Sequence, residues 1–206
     1  MGLEARDVVS GRWVLYRKQT DHSRDCEKYP FEASPGRVFL DTTVVNALVK
    51  HSRHIFEHEP VPAGLHEALA HDVEALMHVF HVGQRAEWDL VASFKTLEEI
   101  DETPHTDLRQ TLMDYAVGIA ERSGEVANFA HDLGRRIIGS EFFDMLPDRN
   151  DRELLAHAIG LECDAFCTCD RSTIIKRRDR LPTLPIRVLT PVEWWRHVKP
   201  WAGLWS

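Results

Sequence analysis

Short apolar runs, too brief to be helices, alternate along this chain with segments of helical period, and that alternation restricts the fold more than any other feature. Arg37-Val-Phe-Leu-Asp41, Asp89-Leu-Val-Ala-Ser93, Ala165-Phe-Cys-Thr-Cys169 and Ile186-Arg-Val-Leu189 are four or five residues long, the pattern of strands buried on both faces. A helical pattern runs from about Val44 to Ile55 and stops at Pro60 and Pro62. Leu65, Leu69, Val73, Leu76, Met77 and Phe80 form a stripe with polar residues opposite. Leu108, Leu112, Tyr115, Ala116 and Ile119 mark another helix face, and Phe129, Leu133 and Ile137 a third. Asp151 to Glu162 carries Leu154, Leu155, Ala158 and Ile159 on one side. Strands separated by helices predict a central parallel sheet of about four or five strands, with helices on both faces as a three-layer α/β/α sandwich. Residues 1–36 read as an N-terminal extension, with an edge strand in Arg12-Trp-Val-Leu-Tyr-Arg-Lys18 and a loop over the polar stretch Gln19 to Lys28.

A chain of 206 residues with 43% hydrophobic residues has the size and composition of one α/β domain with a single core. No apolar run is long enough to span a bilayer, and Met1–Ser10 lacks the apolar stretch of a signal peptide. A cytoplasmic location and no membrane partner are expected. The four cysteines Cys26, Cys163, Cys167 and Cys169 are too few for a disulfide scaffold and read as reduced thiols, the later three as small buried groups.

The net charge of −8 disfavours a nucleic-acid partner only until its distribution is considered. Residues 1–170 carry 17 basic and 31 acidic side chains, whereas residues 171–206 carry 8 basic and 2 acidic. The basic run Lys176-Arg-Arg-Asp-Arg180 is ordinarily a solvated loop, but it closely follows an acid of interest.

Four acids define a candidate site. In a right-handed βαβ unit the helix runs back against the strand, so helix N-termini and strand C-termini share one edge of the sheet. Asp41 and Asp170 follow buried strands, while Glu99 and Asp151 fall in the first turn of expected helices. All four therefore face one edge. Carboxylates gathered in this way stay ionised chiefly when a cation neutralises them, and hard oxygen ligands suit Mg²⁺ or Mn²⁺.

The same residues carry a resemblance. Val38-Phe-Leu-Asp-Thr42, Ser93 with Thr96-Leu-Glu-Glu-Ile100, Asp151 with Leu154-Leu-Ala-His-Ala158, Cys167-Thr-Cys-Asp170 and Ile186-Arg-Val-Leu-Thr-Pro191 occur in the order of the PIN-domain ribonuclease family, which residues 37–195 resemble. The resemblance implies a PIN-like fold, from which the N-terminal extension and a helical insertion near residues 60–88 depart as extra segments; the aromatic tail at 196–206 is expected, from its Trp residues, to pack on the domain or on a partner. The resemblance also implies a metal-dependent endoribonuclease in which Asp41, Glu99, Asp151 and Asp170 hold one or two Mg²⁺ or Mn²⁺ ions and RNA is the substrate. Thr42, Ser93 and Thr168 would orient water, metal or phosphate, and Arg171, Lys176, Arg177 and Arg178 would position the RNA backbone. Homodimerisation and an antitoxin-like protein partner are further implications.

Plainer roles compete for each acid. Thr96 and Glu99 fit a capping box, which would pass the ligand role to Glu98. Asp151 suits a helix dipole, with Asn150 the better N-cap and Asp148 a reserve acid. Asp41 and Asp170 are of a type common where strands end. His51, His54 and His58 recur at i, i+3 and i+7, a spacing that could serve Zn²⁺ or Ni²⁺ but more often marks a solvated face. A binding or scaffold module that keeps the acids without turnover is the alternative function. A phosphatase of the haloacid-dehalogenase kind is disfavoured, because Asp41-Thr-Thr43 lacks that family's second Asp.

Overall fold

The computed structural model of the chain describes residues 5–7, 9, 12–86, 88–102, 106–120, 135–138, 145–181 and 184–205. The chain divides into two compact units. Met1–Pro35, His51–Glu87 and Pro191–Ser206 form one, and Gly36–Lys50 with Trp88–Thr190 form the other. The N-terminal extension, the helical insertion and the aromatic tail thus fall in the same unit, and the four candidate acids all fall in the second.

That second unit is mixed α/β. Its strands β1 (Arg37–Leu40), β2 (Asp89–Val91), β3 (Ala165–Cys167) and β4 (Arg187–Leu189) make a four-stranded, all-parallel sheet in the order β2-β1-β3-β4, consistent with a three-layer α/β/α arrangement. The two central strands explain the sequence pattern: Val38, Phe39, Leu40, Ala165, Phe166 and Cys167 are all fully buried, so neither face of the sheet offers a place for a polar side chain. Register pairs Phe39 with Phe166, and their rings stack 5.4 Å apart and 11° from parallel. Burial of each ring contributes about 2–3 kcal/mol, to which the stacking adds about 1 kcal/mol. The polar start of β1 is tied down separately. Asp164 Oδ2 accepts the N–H groups of Gly36 and Arg37 at 3.0 and 2.8 Å, and the Arg37 guanidinium pairs with Asp89.

Among the described residues, the longer α-helices of this unit are α1 (Thr42–Lys50), α2 (Phe94–Asp101), α3 (Thr106–Ala120) and α4 (Arg149–Gly160). Leu154, Leu155, Ala156 and Ala158 of α4 join Phe39, Val91 and Phe166 in one core. The single helix expected over 44–55 is two helices, because His51 leaves helical geometry at φ −117° and ψ 25° and a separate short helix spans Ser52–Phe56. The face expected at Phe129 and Leu133 lies outside the described residues; Ile137 packs against the core.

Helix α4 ends with a feature that carries a stability prediction. Cys163 N–H donates to Ala158 O at 3.1 Å and Glu162 N–H to Ile159 O at 3.0 Å, the paired bonds of a Schellman cap. The left-handed position of that cap, usually glycine, is Glu162 at φ 56°. A Cβ in that region is unfavourable. Glu162→Gly should therefore stabilise the protein by about 0.5–1 kcal/mol, read as a rise in the urea midpoint with unchanged slope.

In the other unit, the stretch Gln19–Lys28, expected to be a loop, is an α-helix. It buries no residue, so it shows no apolar period to read. Polar contacts hold it instead: Tyr16 Oη donates to Asp25 at 3.0 Å, and His22 Nε2 bonds Pro200 O at 2.9 Å. The expected edge strand shrinks to Trp13–Val14, paired antiparallel with Ala5–Arg6 and separate from the main sheet. The expected packing helix spans Glu67–Ala86 and buries Val73, Leu76, Val79 and Val82. Helix Pro191–Val198 lies against it, with Trp194 and Trp195 buried. The tail folds back on its own unit, where Trp201 Nε1–H donates to Tyr29 O at 2.8 Å and Phe31 packs on Trp201 and Trp205. Among the described residues no helix is long and apolar enough to cross a membrane.

Candidate metal centre

Strand order fixes where a site can form. The chain moves from β1 to β2 on one side and then to β3 on the other, so the direction reverses between β1 and β3. The crevice beyond the carboxyl ends of strands at such a reversal is where open α/β sheets bind ligands. Asp41 directly follows β1, and Thr168 to Asp170 directly follow β3.

Asp41 is 3% exposed. Its Oδ2 accepts hydroxyl hydrogens from Thr43 and Thr168, both at 2.6 Å, and its N–H donates to Cys167 O at 3.0 Å. Burial raises its pKa against the pull of those hydroxyls, and the Asp170 charge raises it further. The two threonines are themselves oriented: Thr43 Oγ1 accepts Cys169 N–H at 3.0 Å, and Thr168 Oγ1 accepts Asp170 N–H at 2.9 Å. Thr168 is fully buried, which makes it a positioning residue for Asp41.

The two candidates for the second acid stand in different surroundings. Helix α2 begins at Phe94, with Ser93 in the N-cap position and no side-chain cap bond, so Glu99 lies beyond the first turn and the Thr96–Glu99 capping box is not formed. Glu98 instead points to the surface and pairs with Lys95 at 3.2 Å. Glu99 Oε2 accepts Thr42 Oγ1–H at 2.6 Å. Burial pushes its pKa to about 7, with the charges of Asp41 and Asp151 adding to the shift while Thr42 and Lys95 oppose it.

The third acid stands in the first turn of α4 as expected, but its N-cap is Asp148, not Asn150: Asp148 Oδ1 accepts Asn150 N–H at 2.9 Å. Asp151 is thereby released from capping. Its Oδ2 is buried with no hydrogen-bond partner. Burial pushes the Asp151 pKa to about 6, and the Asp148, Asp41 and Asp170 charges raise it further against a hydrogen bond from Thr173.

Asp170 is different. It caps the turn Arg171–Ile175, its Oδ1 taking Ser172 N–H, Ser172 Oγ–H and Thr173 N–H at 2.8, 2.7 and 3.1 Å, and its Oδ2 taking Thr173 Oγ1–H. Burial alone would raise its pKa, but these bonds outweigh it and hold the carboxyl below its usual value.

Asp41, Glu99 and Asp151 therefore feel one another's charge, and Asp41 and Asp151 feel Asp170. The gathering is loose. Among the described residues, no group of three or more His, Cys, Asp or Glu side chains is arranged to hold a metal ion. A buried carboxylate oxygen without a partner, in an all-oxygen donor set rich in raised pKa values, nonetheless fits a hard divalent cation.

The residues expected around the acids divide by exposure. Ser93 is 7% exposed and its Oγ has no hydrogen-bond partner. Lys176 is exposed. Arg177 donates to the carbonyls of Ser172 and Thr173 at 3.4 and 3.5 Å, and Arg178 to Val188 O at 3.0 Å. Arg171 is half-buried at the start of the capped turn. The histidine series does not align, because the short helix ends at Phe56 and His58, at φ 58°, faces His81 instead. All four cysteines are free thiols; Cys163 and Cys167 are buried, and burial pushes Cys163 to about 12. Reading the sequence alone missed Thr43 and Thr173, hydroxyls two and three residues after their acids, a spacing that is itself a usable signal.

Compared with known proteins, the chain matches no protein-family model, no curated protein and no solved structure, so the case for the centre rests on its own geometry.

Proposed function

We propose that the α/β unit is a divalent-cation-dependent endoribonuclease of PIN type that hydrolyses RNA phosphodiester bonds. The observation carrying this reading is the buried Asp151 Oδ2 without a hydrogen-bond partner, in a set of carboxyls that feel one another's charge, where burial first and the Asp41 and Asp151 charges after it raise Glu99 to about 7. Asp41, Glu99, Asp151 and Asp170 would hold Mg²⁺ or Mn²⁺, which supplies Lewis-acid activation of water and neutralises charge on the phosphate. The protein's own part is positional. Thr43 and Thr168 fix Asp41, Thr42 fixes Glu99, and Thr173 links Asp170 to Asp151. Ser93 offers a hydroxyl for water or phosphate, and Arg171, Lys176, Arg177 and Arg178 supply positive charge close in sequence to the fourth acid.

One observation favours a second reading. The bonds that saturate Asp170 and steady Asp41 satisfy those acids without a cation, as a binding module without turnover would require. Incubating a mixed RNA with the protein in Mg²⁺, Mn²⁺ or EDTA separates the two. Cleavage that EDTA abolishes supports the nuclease, RNA binding without cleavage supports the module, and cleavage equal in EDTA removes the metal role.

The basic stretch carries its own expectation. Lys176→Gln should weaken RNA binding and reduce the slope of log K against log salt by about 0.7 for a single-strand phosphate contact, measured by fluorescence anisotropy across salt concentrations. An unchanged slope would remove Lys176 from the interface. Arg178→Gln should lower stability as well, because Val188 O loses its donor.

A further inference from the structure

Helices α2 and α4 lie against each other, and each carries one of the proposed cation ligands, Glu99 on α2 and Asp151 on α4. An ion pair crosses between them. Lys95 Nζ stands 3.6 Å from Glu153 Oε2, and both side chains are mostly withdrawn from solvent, at 17% and 19% exposure. A second partner of Lys95, Glu98 at 3.2 Å, is 68% exposed, so that contact is screened and contributes little. Glu153 is also held from its own helix, where Arg149 Nε donates to Oε1 at 2.9 Å.

Local helix chemistry argues against a lysine at this position. Lys95 is the second residue of α2, at the end where the helix dipole disfavours positive charge. With Glu98 it forms an i,i+3 pair in the less favourable order, cation before anion. Lysine is also seldom withdrawn from water without a partner. A residue that breaks the local rules beside a site is explained by what it meets across the fold, and here that is Glu153.

Helical spacing ties the pair to the ligands. Lys95 and Glu99 are four residues apart and share one face of α2, whereas Glu153 and Asp151, two apart, diverge on α4. The two helices are thus joined by an attraction, Lys95 to Glu153, beside a repulsion, since Glu99 feels the charge of Asp151. Whenever Glu99 and Asp151 are both ionised they push α2 and α4 apart, and the ion pair opposes that push.

We propose that Lys95 and Glu153 are a positioning pair for the cation site, keeping α2 and α4 close enough for Glu99 and Asp151 to take one divalent ion together. This rests on the cation-site reading above, and the sign of one substitution separates it from plain electrostatics. Removing a positive charge beside a cation site tightens binding by Coulomb's law alone; removing a strut weakens it. The test is calorimetric titration of the full chain with Mn²⁺ at fixed pH and salt, with a urea transition confirming that each variant titrated is folded. Lys95→Met should weaken the site by about tenfold, the scale for a group that orients a metal ligand, and Glu153→Gln should weaken it similarly. The double variant should bind no more weakly than the weaker single one, because both substitutions remove the same contact. Lys95→Gln repeats the sign test should Lys95→Met not fold. Unchanged or tighter Mn²⁺ binding on loss of the Lys95 charge, or losses that multiply in the double variant, would overturn the positioning pair and leave the cation site standing. A parent chain with no saturable Mn²⁺ site would overturn the reading beneath it, and the pair's role with it.

Discussion

Asp41→Asn should lower metal-dependent RNA cleavage by roughly 10²–10³-fold, the scale of removing one preorganised electrostatic partner from a reaction centre. Asn keeps the shape and can still meet the Thr43 and Thr168 hydroxyls that now bond Asp41 Oδ2 at 2.6 Å, so the fold should survive and the loss should report the missing charge. Thr168→Val tests the support from the other side. It removes one hydroxyl bond to Asp41 and the acceptor for Asp170 N–H, and should raise the metal concentration needed for half-maximal cleavage while leaving the rate at saturating metal less affected than Asp41→Asn does. Quantified cleavage of a labelled RNA across a Mn²⁺ series distinguishes these patterns. If Asp41→Asn cleaves as fast as the parent chain, the acids are not the reaction centre.

The second large effect concerns stability and pH. Burial raises Glu99 from 4.5 to about 7 and Asp151 from 3.8 to about 6. For acids whose pKa is higher folded than unfolded, the folded state keeps protons that the unfolded chain has lost. Their favourable contribution is complete below the unfolded values and disappears as pH rises through the folded ones. The metal-free protein should therefore lose stability as pH rises from 3.8, the unfolded value of Asp151, to about 7, the folded value of Glu99. Glu99→Gln and Asp151→Asn should each flatten that decline and stabilise the metal-free chain by about 1 kcal/mol at about pH 8, a figure reduced for the partial exposure of both groups. Mn²⁺ should reverse the order, stabilising the parent chain and not the variants. Urea melts at several pH values, with and without Mn²⁺, measure both halves. A parent chain whose stability is flat across this range, or variants less stable at every pH, would show that the carboxyls are satisfied by their hydroxyl partners alone.

The parts of this protein that were legible in its sequence are those where burial is all-or-none. Val38-Phe-Leu40 and Ala165-Phe-Cys167 have no polar residue because both faces of a central parallel strand are covered, and the acids that follow them are placed by topology. Helix Gln19–Lys28 was illegible for the opposite reason: it buries nothing, and contacts with residues far along the chain hold it. The break at His51 leaves no Pro or Gly to mark it. At the site, Asp41 and Asp151 could be anticipated from strand ends and helix starts. That Glu99 turns inward while Glu98 faces the surface could not, because it depends on Thr42 meeting Glu99 from 57 residues away. Asp148 took the cap expected of Asn150, a one-turn competition between similar residues that local propensity does not decide.

Mn²⁺ titration followed by the paramagnetic resonance signal of the free ion tests most directly whether these carboxyls form one cation site. The account predicts a saturable site in the parent chain that releases protons on filling, and its loss in Asp151→Asn, where the buried Oδ2 is gone. A parent chain that leaves the free-ion signal untouched, or an Asp151→Asn chain that binds Mn²⁺ as tightly as its parent, would contradict it.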